Sequence, residues 1–396
     1  MQTKKFGDIM RKSIGVCATA LAAIILQSPQ VAQAAPGEAL FEESSDQADF
    51  RLVTVADTLS NPWGLDFLPD GALIVTEWQG NVRLVKDGKV SAPLKGVPPV
   101  LERESGYTGG MLSVAAHPGF AQNGLIYLCY LHGDYDSNVS RIARGRIAGD
   151  RISDLEVIFE GNDRAEGHHH SGCRLVWSDD GHLFATFGDR RFLPDEAQVL
   201  ASTTGTIIHL NDDGSIPEDN PFVGKSEARP EIWAYGVRNV QGAVWHPETR
   251  ALWFSEHGPL GGDEVNILKR GANYGWPIVT YGIDYDGTII TEHAQLPGVE
   301  GPLVYWRPST APSGLAFYTG DDFPHWRGDL FMGSLVDRRL IRMELDGKRV
   351  LFQEPFLEEL DERIRLVKMG PDGFLYLLTD ADPGAILRLE PVGPAD

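Results

Sequence analysis

The sequence predicts an all-β fold, a six-bladed β-propeller of four-stranded antiparallel blades, on three observations. The 396 residues include 44 glycines and 25 prolines. They fall between short apolar runs, as turns between strands do, and are more numerous than helices tolerate. One unit, a Gly-containing turn, a short apolar strand, a Pro/Asp/Gly turn and a second strand, recurs six times along the chain. The copies are spaced by roughly forty-five to seventy residues, which leaves room for two further strands in each, the arithmetic of a four-stranded blade.

The copies are WGLDFLPDGALIVTE (63–77), GGMLSVAAHPGFAQNGLIYLCYL (109–131), GCRLVWSDDGHLFATFGD (172–189), QGAVWHPETRALWFSEHG (241–258), SGLAFYTGDDFPHWRGDLFMGSL (313–335) and VKMGPDGFLYLLTD (367–380). NVRLVKDGKV, RIARGRIAG, RLIRMELDG and AILRLEP supply outer strands after the first, second, fifth and sixth. Each hairpin alone has an apolar face that it cannot bury, so the copies must pack on one another. The terminal copies are no more polar than the middle ones, which disfavours an open solenoid. The expected organisation is an export signal over 1–34, an N-terminal extension over 35–50 and a single propeller domain over 51–392.

The signal is read from a basic start (Lys4, Lys5, Arg11, Lys12), an apolar stretch from Ser13 to Leu26, and the small-x-small site Ala32-Gln33-Ala34. The stretch is too short for a permanent membrane span, so a periplasmic protein without membrane insertion is expected. The formal charge of −21 disfavours nucleic acid, whose phosphates require a basic face. Of the three cysteines, Cys129 and Cys173 lie beyond the signal and allow one disulfide in an oxidising compartment. Nothing in the sequence separates a monomer from a dimer.

A propeller brings equivalent positions of different blades onto a ring around one channel. The turns that begin the repeats hold His170 and Arg174, Arg238 and Gln241, Ser309 and Pro312, and Arg363 and Arg365; the second strands end in Glu77, Asp189, Glu256 and Asp380. Three consecutive histidines, 168–170, make a poor zinc site, because neighbours in an extended segment face opposite ways. His170 and Asp189 instead bracket one hairpin whose ends meet. They form either a base with its orienting acid or a hydrogen bond at the rim. Glu256, Asp263 and Glu264 among glycines suit a hard cation such as calcium. Arg363 and Arg365 form either a clamp for carboxylates or a pair of surface ion-pair partners.

Taken together, NPWGLDFLPDG, His170-Ser-Gly-Cys-Arg174-Leu-Val, Gly188-Asp189, LNDDGSIPEDNPF, YGVRNVQG, EHGPLGGDE, NYGWP, PSTAPSG and RIRLV resemble the soluble glucose/sorbosone dehydrogenase family, quinoproteins that use pyrroloquinoline quinone (PQQ). The resemblance implies His170 as the base on the anomeric hydroxyl, Asp189 as its orienting acid, and Arg238 beside the reactive quinone carbonyl, with Asn239 and Gln241 in the same loop. It implies Arg363 and Arg365 on the cofactor carboxylates and Trp306 stacked on the cofactor. Gly258 and Pro259 would hold calcium on PQQ through their carbonyls, and Glu264, Tyr274 and Tyr285 a second calcium. The substrate would be an aldose sugar, oxidised to a lactone, with an external electron acceptor restoring the quinone. The chain departs from the pattern at Thr108, where a glutamine is expected, and at Val336, where a cation is expected. A calcium-dependent propeller lactonase or hydrolase, and a PQQ- or sugar-binding propeller without redox activity, are the competing functions.

Overall fold

Each repeat becomes the inner hairpin of one antiparallel sheet. The computed structural model describes residues 35–101 and 110–393; the expected export signal and Thr108 lie outside the described residues. Blade 1 runs over 62–90, blade 2 over 111–160, blade 3 over 175–235, blade 4 over 240–306 and blade 5 over 312–356, each with four strands in chain order from the axis outward. Blade 6 joins the two ends of the chain. Ile364–Met369, Leu375–Thr379 and Gly384–Pro391 pair in order, Asp49–Leu59 supplies the fourth strand, and Ala39–Ser44 adds a fifth at the edge. The fold is therefore the predicted six-bladed propeller. Part of the segment expected as an N-terminal extension forms that fifth strand. No helix among the described residues is long and apolar enough to cross a membrane.

Alternation along each strand sends side chains to the two flanking blades, so the core lies between sheets. Ile74, Val82, Met111, Val114, Ile126 and Leu128 fill the space between blades 1 and 2; Phe184, Ile207, Val240 and Phe254 fill that between blades 3 and 4. Phe50 from the N-terminal strand meets Trp326 and Phe356 of blade 5 edge-on, at 5.6 and 5.3 Å between centroids. Burial of each such side chain contributes about 1.5–3 kcal/mol. Cys129 on the second strand of blade 2 is bonded to Cys173 just ahead of blade 3.

The inner strands crowd the axis. A Cβ on Gly242 would lie 2.0 Å from the Ser313 carbonyl, and one on Gly314 would lie 2.4 Å from the Val367 nitrogen, so only glycine lets these strands approach. In blades 1, 2, 4, 5 and 6 the register of the first hairpin slips within the opening residues of the inner strand. Such bulges re-aim side chains at a sheet's end. Here they sit where the sequence places its candidate residues.

Arg174 does not face the same mouth as His170. Its buried guanidinium enters the channel and donates to the carbonyls of Gln241 (2.6 Å), Trp63 (3.1 Å) and Arg365 (2.9 Å), across the Trp63 ring at 3.9 Å. One side chain thereby ties blade 3 to blades 4, 1 and 6. Below it, the far half of the channel is a cavity of ≈ 380 Å³ lined by all six inner strands.

Candidate functional site

The opposite end of the channel, where the inner strands begin, carries the candidate chemistry. Residues 167–170 form a turn rather than the extended segment expected: His170 has φ +44°, and the His168 and His169 rings lie 4.5 Å apart. A buried network holds this turn. Arg190 donates to Asp163 (3.1 Å), to the Gly167 carbonyl (2.9 Å) and to Asn138, and Asp163 also accepts from Ser140 (2.7 Å). Arg190 and Asp163 are both fully buried, so the ion pair fixes position at the cost of desolvation.

His170 Nδ1 lies 2.6 Å from Asp189 Oδ1. The same oxygen accepts from the Arg191 nitrogen (2.7 Å), and Oδ2 accepts from the Trp276 indole (2.8 Å). Burial pushes the His170 imidazole below its ordinary value, the Asp189 hydrogen bond works against this, and Arg238 adds to it. For Asp189, burial alone would raise the carboxyl, but contacts with His170 and Arg238 hold it below the usual range. The pair is thus a neutral imidazole against a carboxylate, with Nδ1 donating and Nε2 left with its lone pair.

Arg238 lies alongside. Its main-chain carbonyl accepts from the Asp189 nitrogen (2.8 Å), and its guanidinium reaches the carbonyls of His257 (2.8 Å) and Gly258 (2.7 Å), with Trp276 at 5.1 Å. Asn239 accepts from Gln241 (3.1 Å), and Gln241 accepts from Arg365 (2.9 Å). Arg365 and Arg363 then meet on one carboxylate, Asp380, at 2.9 and 2.8 Å. His170, Arg238, Asn239, Gln241, Arg363 and Arg365 therefore share one mouth. Two guanidiniums facing one carboxylate leave that side of the mouth positive.

His257, whose role the sequence does not reveal, lies half-buried beneath this ring. Its Nε2 faces the Pro312 carbonyl at 2.8 Å, and burial, with Arg365 and Arg238 nearby, lowers it to about 3. The roles of Trp276, Arg190 and Asp163 are likewise not evident from the sequence. Trp276 lies in the quoted NYGWP, and Arg190 directly follows Asp189 in a run of two arginines, which is the only local signal they carry.

The cation candidates divide. Gly258 and Pro259 reach the mouth, and their carbonyls accept from Arg238 and from Ser309 (3.2 Å), leaving each a second lone pair. Glu264 lies directly across the strand pair from Glu256, and Asn266 donates to both at 3.1 and 3.2 Å. Burial pushes Glu264 up to about 7, and burial together with Glu264 raises Glu256 well above its ordinary value. The buried Asn266 Oδ1 has no hydrogen-bond partner, so the strand pair gathers oxygen acceptors of the kind a hard cation takes. The Tyr274 hydroxyl is engaged by Ile267 and Lys269 (2.7 and 2.9 Å), which leaves its main-chain oxygen for a metal. Among the described residues no three His, Cys, Asp or Glu side chains converge as a metal cage.

Two of the expected site residues require correction, and one departure from the family pattern stands. Tyr285 is 54 % exposed and lines an outer cleft, not the small cavity of Glu256, Glu264 and Tyr274. Trp306 ends the outermost strand of blade 4, and its indole donates to Gln353 on the outermost strand of blade 5 (3.1 Å); that places it away from the mouth. Val336 is 58 % exposed and supplies no charge, and nearby Arg338 turns to Asp361 instead.

Similarity to known proteins covers the same span. The sequence pattern described as glucose / sorbosone dehydrogenase matches residues 59–388. The aldose sugar dehydrogenase YliI of Escherichia coli is 41 % identical over 351 residues, covering 87 % of this chain and 94 % of that protein. The crystal structure of the soluble aldose sugar dehydrogenase from E. coli in the apo form superposes with a TM-score of 0.82 at 39 % identity, over 87 % of this chain and 100 % of that one. The PQQ-bound aldose sugar dehydrogenase of Streptomyces coelicolor gives 0.68 at 29 % identity, over 85 % and 96 %.

Proposed function

Since the chain belongs to the glucose/sorbosone dehydrogenase family, we propose that it is a periplasmic quinoprotein that oxidises the anomeric C1–OH of an aldose to a lactone. The observation that carries this reading is the convergence of the His170–Asp189–Trp276 relay, Arg238 and the Arg363/Arg365 pair on one mouth. A neutral lactone would need no pair of guanidiniums, whereas a flat tricarboxylate does, which favours the dehydrogenase over a hydrolase.

The residues present fit the cofactor and its ion. Arg363 and Arg365 would hold cofactor carboxylates, with Asn239 and Gln241 completing the polar rim. The Gly258 and Pro259 carbonyls would hold calcium at the mouth, and Glu264 with the Tyr274 carbonyl a second calcium. PQQ, when bound, supplies the two-electron acceptor for the hydride that leaves C1, and an external acceptor then removes those electrons. The chain's own part is to position the sugar and manage its proton. His170 Nε2 takes the C1–OH proton as the C1–H pair departs; Asp189 steadies the imidazolium that forms; Arg238 faces the negative charge that develops opposite. The disulfide Cys129–Cys173 and the signal-like start support export to an oxidising compartment.

The test is reconstitution of the purified protein with PQQ and calcium, followed by dye reduction with aldoses. His170→Ala is expected to lower kcat by about 10²–10⁴, with PQQ still bound. A mutant as active as the parent would refute the base assignment.

A further inference from the structure

We infer that the base is mounted on the neighbouring blade: the buried disulfide Cys129–Cys173, with Asn138 and Ser140 beside it, makes blade 2 the anchor that holds the His170 turn in its reactive position. Cys129 and Cys173 are then positioning residues, acting on the sugar through His170. The inference rests on the proposed aldose oxidation and adds to it what keeps the base in place.

Blade 3 grips this turn weakly. The first strands of the other five blades are six residues long, whereas that of blade 3 covers Leu175–Trp177. Ahead of that strand the main chain of the blade adds bonds from Thr186 to the Arg174 carbonyl (3.2 Å) and from Arg190 to the His170 carbonyl (3.3 Å). A six-residue ladder would run on toward the mouth; this one stops short of the base.

His170 needs a firmer hold. It has φ +44°, in the left-handed region that a residue with a Cβ leaves unless its surroundings fix it. Gly172 follows at φ +77°, where a Cβ would lie 2.4 Å from the Thr186 carbonyl. A segment bent in this way relaxes if its ends are free.

Both ends are tied to blade 2. Upstream, Asn138 at the start of the third strand of that blade exchanges main-chain bonds with Ala165 (3.0 and 3.1 Å), and its side chain donates to the Gly167 carbonyl (2.8 Å). Ser140 on the same strand donates to Asp163 (2.7 Å). Downstream of His170, Cys173 is bonded to Cys129 on the second strand. Both cysteines are fully buried, packed among Tyr127, Ile142, Leu175 and Phe187. A disulfide so enclosed is out of reach of thiols, which makes it a permanent fastening rather than a switch.

Two strands of one blade thus hold the base of the next. A displacement of about 1 Å at a reacting group can cost about a hundredfold in rate, so this mounting bears on kcat and not on sugar binding.

The experiment removes the disulfide with Cys129→Ala/Cys173→Ala and uses two readouts. On the PQQ- and calcium-loaded protein, well below the melting temperature, kcat is expected to fall about ten- to hundredfold while KM and PQQ affinity stay at parent values. On the unloaded protein, amide exchange followed by mass spectrometry should quicken about tenfold over 166–172 and stay unchanged on the inner strands of blades 4 and 5. A lower melting temperature is expected whether the bond positions the base or only stabilises the fold. A variant that melts earlier but keeps the parent's kcat and its exchange over 166–172 would overturn the inference. Should the double variant fail to fold, Asn138→Ala, which keeps the disulfide and removes the anchor on Gly167, is expected to give the same split and the same local quickening; parent values in both would overturn it equally. If the parent oxidises no aldose, the aldose reading fails separately. Exchange then decides alone: quickening confined to 166–172 upholds the mounting, and its absence removes it.

Discussion

Asp189 uses both carboxylate oxygens for three donors, His170, Arg191 and Trp276, and this saturation determines what His170 can do. With Nδ1 committed as donor, Nε2 is the only basic atom presented to a substrate. Burial holds the imidazole below its ordinary value of 6.5, so the base is ready at neutral pH and the acid limb of kcat/KM should fall below 6.5. Asp189→Asn removes the anion that favours the protonated ring. The limb should therefore move further to acid, while kcat drops by about 10²–10⁴ because the amide no longer enforces the tautomer. A pH–rate profile of the variant checks the sign: displacement toward alkaline pH would mean that Asp189 does not act through His170. This pair was legible in the sequence because hairpin geometry alone joins residues 170 and 189. Trp276 was not, because no periodicity tells that a residue deep in the long segment of blade 4 returns to the mouth.

At the level of elements, the bulged starts of the inner strands explain why Arg238, Gln241, Arg363 and Arg365, read from the sequence as blade-entry residues, lie together. Blades 4 and 6, which carry these residues, slip in the same place, so their equivalent positions remain equivalent. Trp306 failed for the converse reason: its assignment needed the register of an outermost strand reached only after residues 268–303, and no repeat calibrates that distance. Tyr285 lies in the same excursion. The second and third strands of blade 4 offer a sharper test, since they set Glu256 opposite Glu264 with Asn266 between them. Two buried acids in register repel, and a divalent cation would remove the repulsion and bind only the folded state. Millimolar calcium should raise the melting temperature by roughly 2–6 °C over the EDTA-treated protein. Glu264→Gln should erase most of that difference. Melting curves that coincide with and without calcium would exclude the ion from this strand pair.

On the scale of the whole molecule, the ring is closed by sequence-distant strands: Asp49–Leu59 pairs with Gly384–Pro391 over the length of both. The repeats suggested closure, because neither terminal copy carries a polar outer face, but they did not show which end supplies the last strand. The edge strand Ala39–Ser44 and the turn after it also reach the neighbouring blade. Glu43 accepts from the Leu357 nitrogen (2.9 Å), the Asp46 nitrogen donates to Glu354 (3.0 Å), and Gln47 accepts from the buried Arg342. The two strands should therefore differ in consequence. A chain beginning at residue 49 keeps the closing strand and loses only contacts at the rim, so it should fold, with stability reduced by about 1–3 kcal/mol. A chain beginning at residue 60 leaves Gly384–Pro391 as an open edge and strips Phe50, Leu52 and Ala56 from the core. It should aggregate or lose cooperative unfolding. Urea titration followed by tryptophan fluorescence separates the two cases. A cooperative transition of undiminished midpoint in the shorter chain would show that the ring closes without its N-terminal strand.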